Sequence, residues 1–214
     1  SPNGSVSGLG GNQEYRFRVL AFNAGGNSAF SSIETGTTLS LPPQNTTTGD
    51  VTDSQITLAW SAPAQVNAPA NYRIDVSNLS EGWGWGSLET VGGNVFSRTL
   101  SLRANTSWAI RVVAIGSAGA GESSSVTAKT LSVPPASLAP ATIWPNRVRL
   151  TWSAPVQFGS ISDYRVEYSA DGGSNWTVFQ DGVSTATEAT VTGLEFSTPY
   201  TFRVAAVGGG ATAG

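Results

Sequence analysis

The sequence predicts an all-β fold of tandem antiparallel β-sandwiches. Three observations carry that expectation: a repeat of about 92 residues, period-2 alternation of apolar residues within it, and no sustained helical period. The repeat is read from landmarks. "LAWSAP" (Leu58–Pro63) returns as "LTWSAP" (Leu150–Pro155), so Trp60 and Trp152 lie 92 residues apart. Tyr72 in "NYRIDVS" and Tyr164 in "DYRVEYS" keep the same offset, as do Pro42 in "TLSLPP" and Pro134 in "TLSVPP". A third landmark, a leucine followed six residues later by an aromatic, occurs as Leu9/Tyr15, Leu102/Trp108 and Leu194/Tyr200.

The landmarks divide the chain into the tail of one repeat (1–38), a complete repeat (39–130) and a third repeat (131–214) that lacks its last strand. Taken in order, "YRFRVLA" places Tyr15, Phe17, Val19 and Ala21 on one face and Arg16 and Arg18 on the other. "QITLAW" lines up Ile56, Leu58 and Trp60, and "YRIDV" lines up Tyr72, Ile74 and Val76. Such alternation, bounded by Gly, Pro, Asn and Ser clusters, marks half-buried antiparallel strands. Many short strands with turns between them indicate a sandwich.

These residues resemble the fibronectin type III domain. The resemblance rests on the proline pairs Pro42, Pro43 and Pro134, Pro135 at strand A, and on the strand B tryptophans Trp60 and Trp152 ahead of Pro63 and Pro155. The strand C tyrosine motif and the strand F run "L-x5-Y-x-F-R-V" complete it, and together they cover essentially the whole chain. It implies tandem immunoglobulin-like sandwiches, one complete and two partial. It also implies that Tyr15 and Tyr200 form tyrosine corners, with the hydroxyl bonded to backbone upstream. Trp108 departs from the pattern, because an indole has only a donor.

On this reading residues 1–38 supply strands E, F and G alone. Half a sandwich leaves its core face and edges open. Two explanations stand: the sequence is a piece of a longer chain, or strands are exchanged between neighbouring subunits of a filament. Both imply further domains. The linkers "TTLSLPP" and "KTLSVPP" are short and proline-bearing, which favours a semi-rigid row of domains.

Composition excludes several function classes. The 214 residues carry a net charge of −3 with only 12% charged residues, so no basic stripe for nucleic acid and no polybasic membrane patch exists. No apolar run approaches the ~18 residues of a membrane helix. Cysteine, histidine and methionine are absent and Lys129 is the sole lysine. Disulfide scaffolds, thiolate metal sites and the usual nucleophilic triads are thereby ruled out. No G-x-S-x-G elbow occurs, the carboxylates are scattered, and neither catalysis nor a cofactor is expected.

Weaker motifs have structural explanations. Gly208, Gly210 and Ala213 match a loose dinucleotide fingerprint, but no helix follows and the repeat puts these glycines in a hairpin turn. Asp50, Asp53 and Asp171 occupy turns without a calcium-loop spacing, so no metal is expected. Asn45, Asn78, Asn105 and Asn175 sit in N-x-[ST] sequons, and the Arg-Gly-Asp tripeptide of some family members is absent. The arginines are more orderly. Arg18, Arg111 and Arg203 share one repeat position on strand F, and Arg73 and Arg165 share one on strand C. Asp75 and Glu167 lie two residues beyond the latter, so Asp75–Arg111 and Glu167–Arg203 are expected as cross-strand pairs in a solvated ladder.

Tryptophans remain as candidate contacts. Trp60 and Trp152 are read as core, Trp108 as the corner, and Trp176 as the start of strand C′. The residue 92 before Trp176 is Gly84, between Trp83 and Trp85, so one of that pair matches the repeat and the other is extra. Trp83, Trp85 and Trp144, the last placed near a domain junction, are the candidate ligand or partner residues. The resemblance implies a non-enzymatic structural and adhesive array of a large extracellular protein, from a bacterial cell surface or a phage fibre. The alternative is a spacer or sugar-binding module of a secreted polysaccharide-degrading enzyme. Expected partners are neighbouring domains of the same longer chain, then other subunits of a fibre or surface assembly, then glycans. Nucleic acid and membrane insertion are not expected.

Overall fold

The structure, a computed structural model, describes residues 3–123 and 125–209. Among them every regular element is a β-strand. Two compact units are distinguished: Ser1–Gly49, Thr57–Leu100 and Trp108–Ala128 in the first, and Asp50–Ile56, Ser101–Ser107 and Lys129–Gly214 in the second.

In the first repeat, β1 (Glu14–Phe17) pairs with β4 (Glu34–Thr37), and β2 (Phe22–Asn23) and β3 (Gly26–Asn27) make a short hairpin. The middle repeat contributes β5 (Gln44–Val51), β6 (Gln55–Ser61), β7 (Asn71–Asn78), β8 (Gly86–Gly92), β9 (Ser97–Ser101), β10 (Ser107–Gly116), β11 (Gly119–Glu122) and β12 (Val126–Lys129). One sheet runs β5-β6-β9; the other runs β11-β10-β7-β8, with β12 also on β10. The third repeat follows the same plan. Its strands β13 (Ala136–Trp144), β14 (Arg147–Ser153) and β17 (Glu188–Thr192) form one sheet in that order. Strands β15 (Ile161–Ser169), β16 (Thr177–Val178) and β18 (Thr201–Gly208) form the other, with β15 central.

The alternating apolar residues turn inward as predicted. Ile56, Leu58 and Trp60 of β6 and Tyr72 and Ile74 of β7 are buried, and so are Val148, Leu150 and Trp152 of β14 with Tyr164 and Val166 of β15. Each strand B tryptophan meets the strand C tyrosine edge-to-face: Trp60 and Tyr72 ring centroids are 5.6 Å apart, Trp152 and Tyr164 5.3 Å. This geometry sets the ring edge of one against the electron-rich face of the other.

The long strand expected from Tyr15 to Ala21 is interrupted, and Val19 is 71% exposed. Serine hydroxyls explain the break. Val19 N–H donates to Ser31 Oγ at 2.9 Å and Ala21 N–H to Ser28 Oγ at 2.9 Å, where a regular ladder would offer carbonyls. The middle repeat has the same substitution, with Val112 N–H donating to Ser123 Oγ at 2.9 Å between β11 and β12. Gly210 and Ala213 of the dinucleotide-like match lie outside the described residues.

The Trp–Tyr pair generates a stability prediction. Trp152→Ala removes a buried indole that no neighbour can replace, and should cost about 3–5 kcal/mol in the third repeat. Denaturant unfolding followed by the remaining tryptophan fluorescence measures it; a cost below about 1 kcal/mol would place Trp152 outside the core.

Candidate functional site

The outer face of the β7–β10 pair holds the most organised polar cluster of the middle repeat. Asp75 on β7 and Arg111 on β10 are register partners. Residues two apart on a strand share a face, so Arg73 joins them. Arg73 grips Asp75 with two of its nitrogens, Nε to Oδ1 at 2.7 Å and one terminal nitrogen to Oδ2 at 3.0 Å. Arg111 reaches Asp75 Oδ2 at 3.2 Å from the other strand.

The third repeat rebuilds the cluster with a longer acid. Glu167 on β15 pairs in register with Arg203 on β18 and is ion-paired to it, while Arg165 contacts its other oxygen at 2.6 Å. Both cross-strand pairs expected from the sequence are thus present. The expectation of a solvated ladder is corrected, because the acids are buried: the Asp75 side chain is 3% exposed and that of Glu167 8%. A carboxylate removed from water needs its charge met by more than one donor. Two arginines per acid supply that.

Aromatic rings close the cluster over the strand F arginine. The Arg111 guanidinium lies 4.5 Å from the Trp85 ring centroid, and that of Arg203 4.1 Å from Trp176. Trp85 is therefore the counterpart of Trp176, and Trp83 is the tryptophan outside the pattern. Arg18, at the same position of the first repeat, sits 3.7 Å from the Phe30 ring instead. The sequence placed Trp176, and with it the Trp83/Trp85 pair, at the start of strand C′; all three instead precede the strand, since β8 begins at Gly86 and β16 at Thr177. The turn is fixed before them by Asn78, whose side-chain oxygen accepts the Ser80 and Glu81 N–H groups at 3.0 and 3.2 Å. Trp83 N–H donates to Asn78 carbonyl at 3.0 Å and its own carbonyl accepts from the Ser77 hydroxyl. Trp83 is 52% exposed and Trp85 41%. Trp144 ends β13 opposite Arg147, whose guanidinium is 4.5 Å from its ring.

The remaining polar motifs are absorbed locally. Asp171 accepts from the Ser169 hydroxyl, the Asn175 N–H and the Asn175 side-chain amide at 2.6, 2.9 and 2.7 Å, which closes the "DGGSN" turn. Asn78 and Asn105 are buried, whereas Asn45 and Asn175 are exposed. No group of His, Cys, Asp or Glu suited to a metal ion occurs among the described residues. A shallow opening in the first unit is lined by Pro43, Gln44, Asn45, Thr46 and Val126, none of them titratable. Tyr15 and Tyr200 form their corners, accepting the Gly10 N–H at 2.7 Å and the Glu195 N–H at 3.1 Å. Sequence reasoning missed the threonine beside that corner. Thr38 Oγ1 accepts the Gln13 N–H at 3.1 Å and donates to the Gly10 carbonyl at 2.6 Å; Thr130 does the same for Thr106 N–H at 3.0 Å and the Arg103 carbonyl. The signal was available, since Thr38 and Thr130 also lie 92 residues apart.

Two predictions follow from this chemistry. Arg111→Ala strips Asp75 of its cross-strand partner and Trp85 of its cation, and should cost about 2–3 kcal/mol. Arg73→Ala removes two bonds to the same buried carboxylate from a more exposed guanidinium and should cost less, about 1–2 kcal/mol. Equal, negligible losses in denaturant unfolding would return the face to the status of a solvated ladder. The second concerns acid. Hydrogen bonds from the Ser169 hydroxyl, then from the Asn175 backbone and side-chain amides, hold the Asp171 carboxyl below the usual carboxylate range. A depressed folded-state pKa favours folding above the unfolded value of about 4, and that contribution fades as pH falls below it. Asp171→Ala should therefore lower the melting temperature at pH 7, with the difference from the parent shrinking as the pH is taken below about 4.

Comparison with known proteins gives the arrangement a family. The model of the fibronectin type III domain matches residues 41–130 and 133–213. The chain is 27% identical over 219 residues to a titin homolog of Caenorhabditis elegans, covering 90% of this chain and 1% of that protein. It is 27% identical over 200 residues to human usherin, covering 90% of this chain and 4% of that one. It is 29% identical over 216 residues to receptor-type tyrosine-protein phosphatase F of Danio rerio, covering 94% and 11%. The chain thus spans a small fraction of the length of these relatives. A two-domain fibronectin type III segment of chicken tenascin superposes with a TM-score of 0.53 at 20% identity, covering 79% of this chain and 93% of that one. Paired sheets of the same strand order, tyrosine corners and a family match over most of the length agree: the chain belongs to the fibronectin type III family, as a tandem of such domains.

Proposed function

We propose that the chain is a non-enzymatic structural and adhesive segment of a large extracellular protein, a spacer that also makes weak contacts multiplied by repetition. The observation that carries this reading is the fate of the polar groups. On the C–F face Asp75 and Glu167 are consumed by arginines, Arg111 and Arg203 are covered by aromatics, and Asp171 is consumed by its own turn. Among the described residues, these clusters leave few polar groups on that face to converge on a substrate. The relatives named above are animal proteins and do not support the bacterial or phage source that the resemblance implied. Trp83, with Trp85 beside it, and Trp144 are the contact residues of the proposal.

A sugar-binding module is the second reading, favoured by two half-exposed tryptophans two residues apart in one loop. Stacking on a sugar ring needs an aromatic face open to solvent, and Arg111 already occupies one face of Trp85. Trp83, the more exposed of the two at 52% against 41%, would be the platform on that reading.

Glycan arrays separate the two readings. The adhesive reading expects no retention of the single chain, retention when several copies are displayed on one bead, and loss of that retention in Trp83→Ala. Submillimolar binding of the single chain to a defined polysaccharide would replace it with the second reading. Absence of retention in either format would remove the adhesive part and leave the spacer.

A further inference from the structure

We infer that the loop before strand F carries a repeat-to-repeat latch, built from one asparagine in a left-handed turn and a glycine that makes room for it. The surface it grips is the B–C loop of the following repeat, with the end of that repeat's strand F alongside. Two copies are present, one in each compact unit.

Asn12 has φ 51° and Asn105 φ 48°. Left-handed backbone selects glycine or asparagine, so shape alone explains neither choice fully. Both side chains are buried, at 7% and 4% exposure, on a loop where polar side chains ordinarily face water. Their partners explain the burial. The Asn12 amide nitrogen donates to the carbonyls of Asn67 and Ala68 at 3.2 and 3.0 Å, and its oxygen accepts the Ser117 N–H at 3.0 Å. The Asn105 amide nitrogen donates to the Ser160 carbonyl at 2.9 Å. Ala68 and Ser160 are 92 residues apart, so the two amides use the same acceptor of the repeat.

The surroundings repeat as well. The backbone N–H groups of Asn12 and Asn105 both donate at 2.9 Å to the linker carbonyls of Leu39 and Leu131. The linker N–H groups of Leu41 and Val133 donate to the side-chain oxygens of Gln65 and Gln157 at 2.7 and 2.6 Å. The seat for each amide is a glycine at the end of strand F. A Cβ on Gly116 would stand 2.2 Å from Asn12 Oδ1, and one on Gly208 1.8 Å from Asn105 Oδ1. No side chain fits those distances. An asparagine and a glutamine on two separate loops and a glycine at a strand end thus recur together at about the repeat period, which self-contained loops would not require. The third loop has Ser197 in the same left-handed turn, φ 55°, but lacks the carboxamide. It keeps the shape without the latch. The Asn105 sequon is on this reading a seam residue, because its amide is already engaged.

Amide hydrogen exchange on the full chain tests the inference. Asn105→Gly preserves the left-handed backbone and deletes only the carboxamide. The linker amides of Leu131 and Val133 should then exchange about tenfold faster, while Ile110 and Val166 in the two cores keep parent rates. Gly208→Ala, which pushes the carboxamide out from the opposite side, should give the same pattern. The double variant should be no worse than the more affected single one, as expected of two residues acting through one contact. Asn12→Gly should loosen Leu41 and Ser117 in parallel. Parent-like linker exchange in Asn105→Gly would reduce the asparagine to a turn former and overturn the latch. Additive effects in the double variant would overturn it too.

Discussion

The organisation of the C–F sheet face depends on a carboxylate buried between two strands. Asp75 and Glu167 sit where a sandwich usually presents polar residues to water, yet both are nearly inaccessible. A buried charge is tolerated only with close counter-charges. That requirement fixes an arginine two residues before the acid and another across the strand pair. The cross-strand guanidinium then needs a cover that leaves its hydrogen-bonding edge free, and an aromatic face meets that need. Trp85 and Trp176 follow from Asp75 and Glu167 through Arg111 and Arg203.

This chain of dependence explains why the face offers little to a substrate. Each member is oriented by the next, so moving one to greet a ligand would uncover a buried charge. Trp83 lies beside the lattice but outside its repeat. An addition of that kind is where a repeated module acquires an individual property, since the shared positions are already committed to the fold. Phe30 makes the complementary point: in the first repeat the cover for Arg18 comes from a different part of the sequence. The need for a cover is general; the residue that meets it is local.

Much of this was legible in the sequence. The period identified the strands, the core tryptophans and both cross-strand ion pairs, because alternation and register are directly encoded in residue spacing. Burial of the acids was not legible. Asp75 and Glu167 occupy outward positions, and the arginines and aromatics gathered there come in part from strand F and from the turns ahead of β8 and β16, which spacing does not settle. The placement of Trp83 and Trp85 ahead of β8 was missed for the same reason. The interruption after Phe17 was hidden because serine reads as a turn or surface residue, whereas Ser28 and Ser31 act as ladder acceptors. Asn12 and Asn105 stood in plain view three residues before the corner aromatic, but a single sequence gives no reason to separate a seam residue from a turn former.

Trp108 shows how the loop holding the latch survives the loss of its tyrosine. Tyr15 and Tyr200 each accept a backbone N–H upstream, which an indole cannot do, and the Trp108 indole N–H itself finds no acceptor among the described residues. The middle loop is instead pinned from the other side. Thr130 accepts the Thr106 N–H and donates to the Arg103 carbonyl, the same two bonds that Thr38 makes in the first repeat beside an intact tyrosine corner. The middle loop keeps its left-handed asparagine with the threonine bonds alone, so these suffice for its shape without the tyrosine hydroxyl. With the hydroxyl dispensable, the larger indole is free to fill the core, where it is buried. The linker threonine, not the corner aromatic, is therefore the residue that presents Asn105 in its left-handed turn. It sits one residue before Leu131, the linker residue whose carbonyl accepts the Asn105 N–H. Loop shape and linker position are thus set by the same short stretch of chain, so the fold of one repeat carries directly into the placement of the seam that follows it.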